Sequence, residues 1–286
     1  MEIKGIILDI DGVIVGEKIG FNSPSPHPDV ISALKQIKSK GIPISLCTAK
    51  PHFAIKDIIE NAELDNLHIT DGGGVIIDPI DNVILKSNII DSDIAIKILE
   101  TYISNNVYTE FYTVDDYFIQ KNEECDITKQ HTHVLQQEPK ILESIIDSAK
   151  SNKLTKIMPI AKNQEDKKRL IELFKPFEND LVLSWGIHPI ALPLQFGIIT
   201  AKGISKKSAA KEIMKNSNIS FENVLSVGDS TSDWQFIQLS KFGGAMGNAS
   251  DELKKLVISK GEDFSCIGPS VDENGILEIF KKFNLL

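Results

Sequence analysis

Two aspartates, Asp9 and Asp11, lie two positions apart at the end of an apolar run near the N-terminus. Residues two apart on a strand point to the same face, so both carboxylates can address one site as the chain leaves the sheet. One carboxylate of such a pair can attack a phosphorus atom while its neighbour moves protons. Gly12 follows and lets the backbone turn sharply. The segment therefore combines a nucleophile with an acid/base partner.

Three further polar segments complete the candidate site. Thr48 presents a hydroxyl at the end of a second apolar run. Lys206 lies at a predicted helix start, where a cation is mildly unfavourable unless it has an anionic partner. Asp229 and Asp233 bracket small hydroxyl residues after another apolar run. A carboxylate that attacks an anionic phosphate needs cations to suppress repulsion and to stabilise charge on the equatorial oxygens.

These segments follow strands that alternate with helices. The nearly continuous aliphatic sequence of Ile3–Asp9 fits a strand that is buried on both faces of a parallel sheet, and Ile42–Cys47 and Val224–Val227 have the same character. Helical patterns lie between such strands, for example over Lys206–Asn216. The alternation predicts a doubly wound α/β sheet, in which ligands gather outside the carboxyl ends of the strands.

The middle of the chain has a different pattern of apolar and polar residues. Its strands alternate more strictly between apolar and polar residues and carry aromatic side chains, which suits an antiparallel sheet with one covered face. We predict a smaller α/β domain over residues 83–191, inserted into a core of residues 1–82 and 192–286. The predicted strands of the insert include Tyr108–Tyr112, Tyr117–Gln120 and Leu181–Trp185, and its predicted helices cover Ser92–Ser104, Pro139–Ser151 and Asn163–Phe174.

Composition and charge exclude several classes of protein. Hydrophobic residues make up 42% of the 286-residue chain and charged residues 25%, as in ordinary globular proteins. The formal net charge of −9 gives no general electrostatic reason to bind nucleic acid or an anionic membrane. The cysteines at 47, 125 and 266 lie far apart, which argues against a disulfide scaffold or zinc ribbon. With no recognisable leader or membrane span, we predict a cytoplasmic protein.

Together, the four segments resemble the motifs of the haloacid dehalogenase (HAD) superfamily of phosphatases, in order and in strand context. The resemblance implies a HAD-like, Rossmannoid core. The long interval between Thr48 and Lys206 resembles the arrangement with an α/β cap after the second motif (a C2 cap, of the C2B type), which is found in Cof-like and sucrose-phosphate phosphatases. The segment Phe242–Ala249 also resembles the Cof-like sequence after the acidic motif.

The resemblance assigns roles to the catalytic residues. It implies that Asp9 is the nucleophile and forms an aspartyl-phosphate, and that Asp11 is the general acid and then the general base. Thr48 and Lys206 would hold the phosphoryl oxygens, and Asn248 would contact the phosphate-side network. Lys202 and Lys207 are nearby competitors for the lysine role, but the order Gly-Ile-Ser-Lys favours Lys206.

The resemblance also implies a magnesium site. Asp9, the backbone carbonyl of Asp11, and Asp229 would bind Mg²⁺, and Asp233 would support either the metal or Lys206. Magnesium prefers a few oxygen ligands together with water, which a cluster of aspartates supplies.

The predicted function is that of a Mg²⁺-dependent phosphomonoesterase acting on a small phosphorylated metabolite, with a sugar phosphate as the favoured class. The cap would close over the leaving group, exclude water and select the substrate. One alternative is a phosphomannomutase-like phosphomutase or phosphotransferase with the same intermediate. A second is a non-catalytic phosphate-binding protein, although a pure binder needs no nucleophile. The sequence carries no signature of the oligomeric state.

Two histidines of the insert, His131 and His133, raise the separate hypothesis of a transition-metal site. We place them on one face of a strand, where two ligands can lie together, but no matching ligand pattern accompanies them. We therefore interpret them as an exposed or cap-lining pair. The aromatic residues of the insert are interpreted mainly as cap core, with one or two lining the cleft.

Overall fold

Strands and helices alternate along most of the chain. The computed structural model describes residues 2–80, 83–121, 123–188 and 191–286. The strands are β1 Gly5–Leu8, β2 Ile44–Leu46, β3 His68–Thr70, β4 Val75–Asp78, β5 Val83–Ser87, β6 Thr109–Tyr112, β7 Tyr117–Gln120, β8 Lys140–Leu142, β9 Lys156–Ala161, β10 Leu181–Gly186, β11 Gln195–Ala201, β12 Val224–Gly228, β13 Phe242–Ala245 and β14 Ser265–Ile267. The α-helices are α1 Pro28–Ser39, α2 Lys56–Asn61, α3 Ser92–Ser104, α4 Asp126–Leu135, α5 Ile145–Ala149, α6 Gln164–Phe174, α7 Lys206–Asn216, α8 Trp234–Ile237, α9 Asp251–Ile258 and α10 Ile276–Lys282.

The core sheet is parallel and buried on both faces. Its strands lie in the order β14–β13–β12–β1–β2. In β1, Ile6 and Leu8 face the apolar cluster under α1 and α10, whereas Ile7 faces the cluster under α7, α8 and α9. Successive side chains of a strand point to opposite faces, so only an uninterrupted aliphatic run can fill both clusters. This is the doubly wound α/β core that the sequence predicts.

An antiparallel sheet of three strands extends the core beyond β2. Its strands pair in the order β3–β4–β5. A parallel bridge between Cys47 and Ile69 joins β3 to the chain that leaves β2. The extension leads from the core into α3 of the inserted domain.

The inserted cap domain is built on a six-stranded sheet in the order β10–β11–β9–β6–β7–β8. Neighbouring strands are antiparallel except for β7 and β8. Helices α3, α5 and α6 cover one face of this sheet. The other face packs against α4 and against Ala49 and Phe53 of the core. Because Ala49 lies just after β2, the cap covers the carboxyl edge of the core sheet.

The predicted division into residues 1–82, 83–191 and 192–286 stays a prediction, and the strand pairing favours shifted boundaries. Strand β5 pairs with β4 outside the cap sheet. Strand β11, which follows residue 191, pairs with β9 and β10 inside the cap sheet. Pairing therefore favours a cap that spans residues 88–201.

The sequence analysis missed helix α4. It placed His131 and His133 on one face of a strand, but the structure places both in this helix. The β-branched residues of the segment favour a strand in isolation, and its packing against the cap sheet overrides that preference. Residues two apart on a helix point in different directions, so His131 is buried while His133 is only half-buried. The predicted helix over 139–151 is instead β8 followed by α5.

A buried ion pair joins the cap to the core. Nζ of Lys156 in β9 lies 3.0 Å from a carboxylate oxygen of Asp71, and both side chains are fully buried. The same nitrogen donates to the carbonyl of Ala49 at 2.9 Å and lies 3.7 Å from the ring centroid of Tyr112. Ala49 follows Thr48, so this contact holds the cap against the loop that carries a candidate site residue.

The buried side chain of His68 is expected to make the fold sensitive to acid. Its Nδ1 accepts the backbone N–H of Leu46 at 3.1 Å, and burial lowers the pKa of His68 from 6.5 to about 4. The folded protein therefore keeps this imidazole neutral. Below pH 6.5 the unfolded chain binds a proton that the folded chain does not, so stability falls as the pH falls from 6.5 toward 4.

We expect this group to remove about 2 kcal/mol of unfolding free energy between pH 7 and pH 5. Denaturant unfolding of wild-type protein and His68→Asn at both pH values measures the effect. Asparagine keeps an acceptor for Leu46 but does not titrate, so the variant should lose less stability on acidification. Equal losses in both proteins would assign the acid sensitivity to other groups.

Candidate active site

Three neighbouring strands of the core sheet end at candidate residues. Asp9 follows β1, Thr48 lies just beyond β2, and Asp229 follows β12. These strands are parallel neighbours in the order β12–β1–β2. The carboxyl ends of parallel strands meet at one edge of the sheet, so residues that are far apart in sequence converge there.

Lys206 lies between two of the carboxylates. Its Nζ is 3.1 Å from Oδ2 of Asp9 and 2.7 Å from Oδ1 of Asp233, and all three residues are buried. Burial alone would lower the pKa of Lys206, but the charges of Asp233 and Asp9 outweigh it and raise the pKa. The lysine is therefore held as a cation, which the two carboxylates neutralise in part.

Close backbone packing fixes the start of α7, which carries this lysine. Gly73 has φ +106°, and a Cβ on it would lie 2.4 Å from the carbonyl group of Ser205. Oγ of Ser205 caps the helix by accepting the N–H of Ser208 at 3.2 Å. A side chain at Gly73 would push the helix start away, so glycine here helps to place Lys206.

The three carboxylates of Asp9, Asp229 and Asp233 crowd one another. Burial first, and the charges of neighbouring aspartates second, raise the pKa of Asp9 and of Asp229 well above its ordinary value. Asp233 behaves differently because the charge of Lys206 and its hydrogen bonds overcome burial and lower its pKa. Gly12 permits the crowding, since a Cβ on it would lie 2.1 Å from Oδ2 of Asp229.

This acidic trio fits a divalent cation. One possible ligand atom from each of Asp9, Asp229 and Asp233 lies within 4.8 Å of the other two. Oδ1 of Asp233 binds Lys206, and its Oδ2 accepts the N–H groups of Asp229 and Ser230 at 3.0 Å each. Asp9 accepts one hydrogen bond at each oxygen, from the N–H of Ile10 and from Lys206. Asp9 and Asp229 therefore keep more acceptor positions for a cation than Asp233 does. A hard dication with oxygen ligands would relieve the repulsion that raises their pKa.

The carboxylate of Asp11 is held by two basic side chains that the sequence analysis did not assign to the site. Its Oδ1 lies 2.8 Å from Nζ of Lys50 and 3.2 Å from Nε2 of His188. Burial opposes ionisation, but Lys50 and His188 together lower the pKa of Asp11. Because the side chain of Asp11 is held in this way, its backbone carbonyl is the atom left for the predicted metal contact. Lys50 could have been noticed as a cation two residues after Thr48, whereas no local signal marks His188.

Thr48 and Asn248, both predicted to bind phosphate, occupy different positions. Thr48 is buried and lines the same cavity as Asp9. Asn248 instead donates through Nδ2 to the carbonyl of Gly12 at 2.9 Å and accepts the N–H of Val271 at 2.8 Å. Because both ends of its amide are bonded, the geometry favours a bracing role for Asn248 over the predicted phosphate contact.

The predicted residues surround a small cavity under the cap. Its volume is about 40 Å³, and its lining includes Asp9, Asp11, Thr48, Lys206 and Asp229 from the core. From the cap sheet and the chain just after β10, the lining adds Ser184, Gly186, Ile187 and Ile198. A larger cavity of about 610 Å³ lies elsewhere in the described part of the chain and is lined by none of these core residues.

Residues 6–280 match the family model of the haloacid dehalogenase-like hydrolases. The chain belongs to this family. Two curated Bacillus subtilis proteins are similar over nearly their whole length. Phosphatase YwpJ is 25% identical and the match covers 97% of this chain and 99% of that protein. The 5-amino-6-(5-phospho-D-ribitylamino)uracil phosphatase YwtE is 24% identical, with 96% and 95% covered.

The fold of this haloacid dehalogenase-like hydrolase also matches solved structures. One is a HAD subclass IIB sugar phosphatase, with a TM-score of 0.79 and 20% sequence identity, covering 99% of this chain and 100% of that chain. The prediction of an α/β core with an inserted α/β cap is thereby confirmed. So is the predicted enzyme class, a phosphatase of the HAD superfamily.

Hydrolases of this superfamily generally use a divalent metal, and the buried acidic trio is an appropriate place for one. Phosphatases among the relatives act on small phosphorylated metabolites, as the name of YwtE states. None of the described helices has the length and apolar character of a membrane-spanning segment.

Proposed function

We propose that this protein hydrolyses a small organic phosphate, with a sugar phosphate as the favoured class, in a Mg²⁺-dependent reaction through an aspartyl-phosphate on Asp9. The observation that carries the proposal is the convergence of Asp9, Asp229 and Lys206 beside Asp11 in one small covered cavity. A phosphate-binding protein would need no carboxylate nucleophile next to an acid/base group.

In the first step, a carboxylate oxygen of Asp9 attacks the phosphorus atom and the bond from phosphorus to the ester oxygen breaks. Asp11, which Lys50 keeps ionised before the reaction, accepts a proton from the monoanionic phosphate ester and gives it to the departing oxygen. Lys206, already 3.1 Å from Asp9, and the hydroxyl of Thr48 hold the phosphoryl oxygens. Proton transfer leaves Asp11 as a carboxylate, the form that Lys50 stabilises at 2.8 Å.

In the second step, water attacks the phosphorus atom of the aspartyl-phosphate and gives a proton to the carboxylate of Asp11. The bond between phosphorus and the Asp9 oxygen breaks, and inorganic phosphate leaves with the proton that Asp11 accepted, which restores both carboxylates. When bound by Asp9, Asp229 and the backbone carbonyl of Asp11, Mg²⁺ would supply positive charge that offsets repulsion between the carboxylates and the phosphate. The cap residues that line the cavity limit the access of bulk water to it.

Two similarities support the substrate class. The relative YwtE is named for a substrate with a phosphorylated ribityl group, and one structural neighbour is a sugar phosphatase. Both names indicate phosphate esters of polyhydroxylated carbon chains. The substrate class of this chain is part of the proposal, because a shared fold does not fix a substrate.

The test is phosphate release from p-nitrophenyl phosphate and from a panel of sugar phosphates, with Mg²⁺ and after EDTA treatment. We expect turnover with Mg²⁺, at least about 100-fold less after EDTA, and recovery when Mg²⁺ is restored. Full activity in EDTA would contradict the metal dependence. Interconversion of a sugar phosphate without net phosphate release would support the mutase alternative.

A further inference from the structure

A second small cavity adjoins the catalytic one at Asp11. Its volume is about 50 Å³, and the two cavities share five lining residues, which are Asp11, Ala49, Gly186, Ile187 and Ile198. Asp9 lines only the catalytic cavity. The proposed reaction, on which this inference rests, has Asp11 protonate the departing ester oxygen. The second cavity therefore lies where the rest of the leaving group must be.

Most of the cap wall of this leaving-group cavity is apolar. The cap supplies the apolar side chains of Val134, Leu135, Met158 and Phe196. Its polar lining residues are His131, Lys156, which is paired with Asp71, and His188, which contacts Asp11. The volume corresponds to roughly three to four water-sized groups. A cavity of this size admits a leaving group with a short carbon chain. His131 can distinguish a leaving group that carries a hydroxyl from one that does not.

A buried network orients the ring of His131. Its Nδ1 lies 2.9 Å from Oε1 of Glu110, a carboxylate with no exposed surface. Tyr112 donates its hydroxyl to Oε2 of Glu110 at 2.6 Å, and the Tyr108 hydroxyl donates to Oε1 at 3.3 Å. Burial first, and the charge of Glu110 second, raise the pKa of both tyrosines, so they remain donors. Phe196 packs on the imidazole, with ring centroids 5.0 Å apart.

This network leaves one polar atom for an occupant of the cavity. Both oxygens of Glu110 accept tyrosine hydroxyls, so we assign the proton between Glu110 and His131 to Nδ1 of His131. Glu110 does not line the cavity while His131 does, and Nε2 has no hydrogen-bond partner within the part of the chain that the structure describes. His131 is only 3% exposed. A polar atom in the wall of a small, mostly apolar cavity is stabilised by a partner inside that cavity.

We propose that His131 determines specificity by hydrogen bonding a hydroxyl of the leaving group through Nε2, and that Glu110 is a positioning residue that holds the ring. Nε2 accepts when the imidazole is neutral and donates when it is protonated. A hydroxyl can satisfy either state because it both donates and accepts. The apolar wall meanwhile packs against the carbon frame of the same group.

The test compares two phosphate esters with the same three-carbon frame, glycerol 3-phosphate and propyl phosphate, as competitors of p-nitrophenyl phosphate hydrolysis. The wild type should prefer glycerol 3-phosphate. In His131→Phe the inhibition constant for glycerol 3-phosphate should rise about five- to tenfold, because one hydrogen bond is lost, while that for propyl phosphate stays within about twofold. His133→Phe, on the same helix, is the matched control and should keep the wild-type preference.

Glu110→Gln should raise the inhibition constant for glycerol 3-phosphate but not that for propyl phosphate. His131→Gln, which keeps a polar side chain, should retain part of the preference for glycerol 3-phosphate. Equal weakening of both competitors would indicate structural damage and overturn the specificity role. So would a wild type without preference or with no competition from glycerol 3-phosphate. If the wild type releases no phosphate from p-nitrophenyl phosphate with Mg²⁺, the proposed function itself has failed, which is a distinct result.

Discussion

Asp9→Asn is expected to lower kcat for phosphate release about 10,000-fold or more. Asparagine keeps the shape of the side chain, but its amide does not attack phosphorus to form an acyl phosphate. Oδ2 of Asp9 is the atom that Lys206 approaches at 3.1 Å, so the substitution removes the proposed nucleophile at the centre of the site. Steady-state kinetics with saturating Mg²⁺ and p-nitrophenyl phosphate measure the loss.

The variant should nevertheless fold normally. The raised pKa of Asp9 means that its ionised form is disfavoured in the folded protein, and Lys206 keeps Asp233 as a partner. Thermal unfolding without added metal should therefore show no loss of stability relative to wild type. Asp78→Asn, a matched substitution at the end of β4, should keep nearly full activity. Retention of wild-type kcat by Asp9→Asn would exclude Asp9 as the nucleophile.

Lys206→Met should lower kcat about 1,000-fold, because the proposed transition state loses the cation that holds the phosphoryl oxygens. It should also destabilise the protein by about 3–5 kcal/mol, since the ionised carboxylate of Asp233 remains buried without its cation. Enzyme kinetics and denaturant unfolding measure the two effects separately. Added Mg²⁺ should raise the melting temperature of the variant more than that of wild type, because the ion replaces part of the missing charge.

The neighbouring residue provides the control for this substitution. Lys207 is half-buried and competed with Lys206 in the sequence analysis, yet Lys206 is the one that contacts Asp9 and Asp233. Lys207→Met should therefore change kcat by less than about threefold and stability by less than about 0.5 kcal/mol. If the two variants lost activity to the same extent, the lysine role assigned by the geometry would be wrong.

The core and the convergence of its acids were predictable because they follow from local patterns. A fully aliphatic run such as Ile6–Leu8 can be satisfied only in a strand covered on both faces. Parallel strands place their carboxyl ends at one edge, so Asp9 and Asp229 had to approach each other once both strands entered the same sheet. Neither inference needs the position of the cap.

The contacts around Asp11 could not be predicted in the same way. Lys50 and His188 approach one oxygen from the core and from the far end of the cap sheet, respectively. Asn248 lies in a segment that resembles a family motif, and we predicted a contact with phosphate. Its amide instead binds the backbone of the loop at Gly12. Each outcome depends on where side chains from distant segments end after the domains have packed.

The amino-acid sequence by itself determined the α/β core, the insertion and the set of acids at the strand ends, because strand period and sheet topology are encoded locally. Only the tertiary structure decided which basic side chains hold Asp11 and how Glu110 orients His131 toward the leaving-group cavity. The physical reason is that these contacts depend on how the core and the cap domain pack against each other. Their geometry depends on how the cap sheet docks on the core, for example through Lys156 and Asp71, and no local sequence pattern encodes that docking.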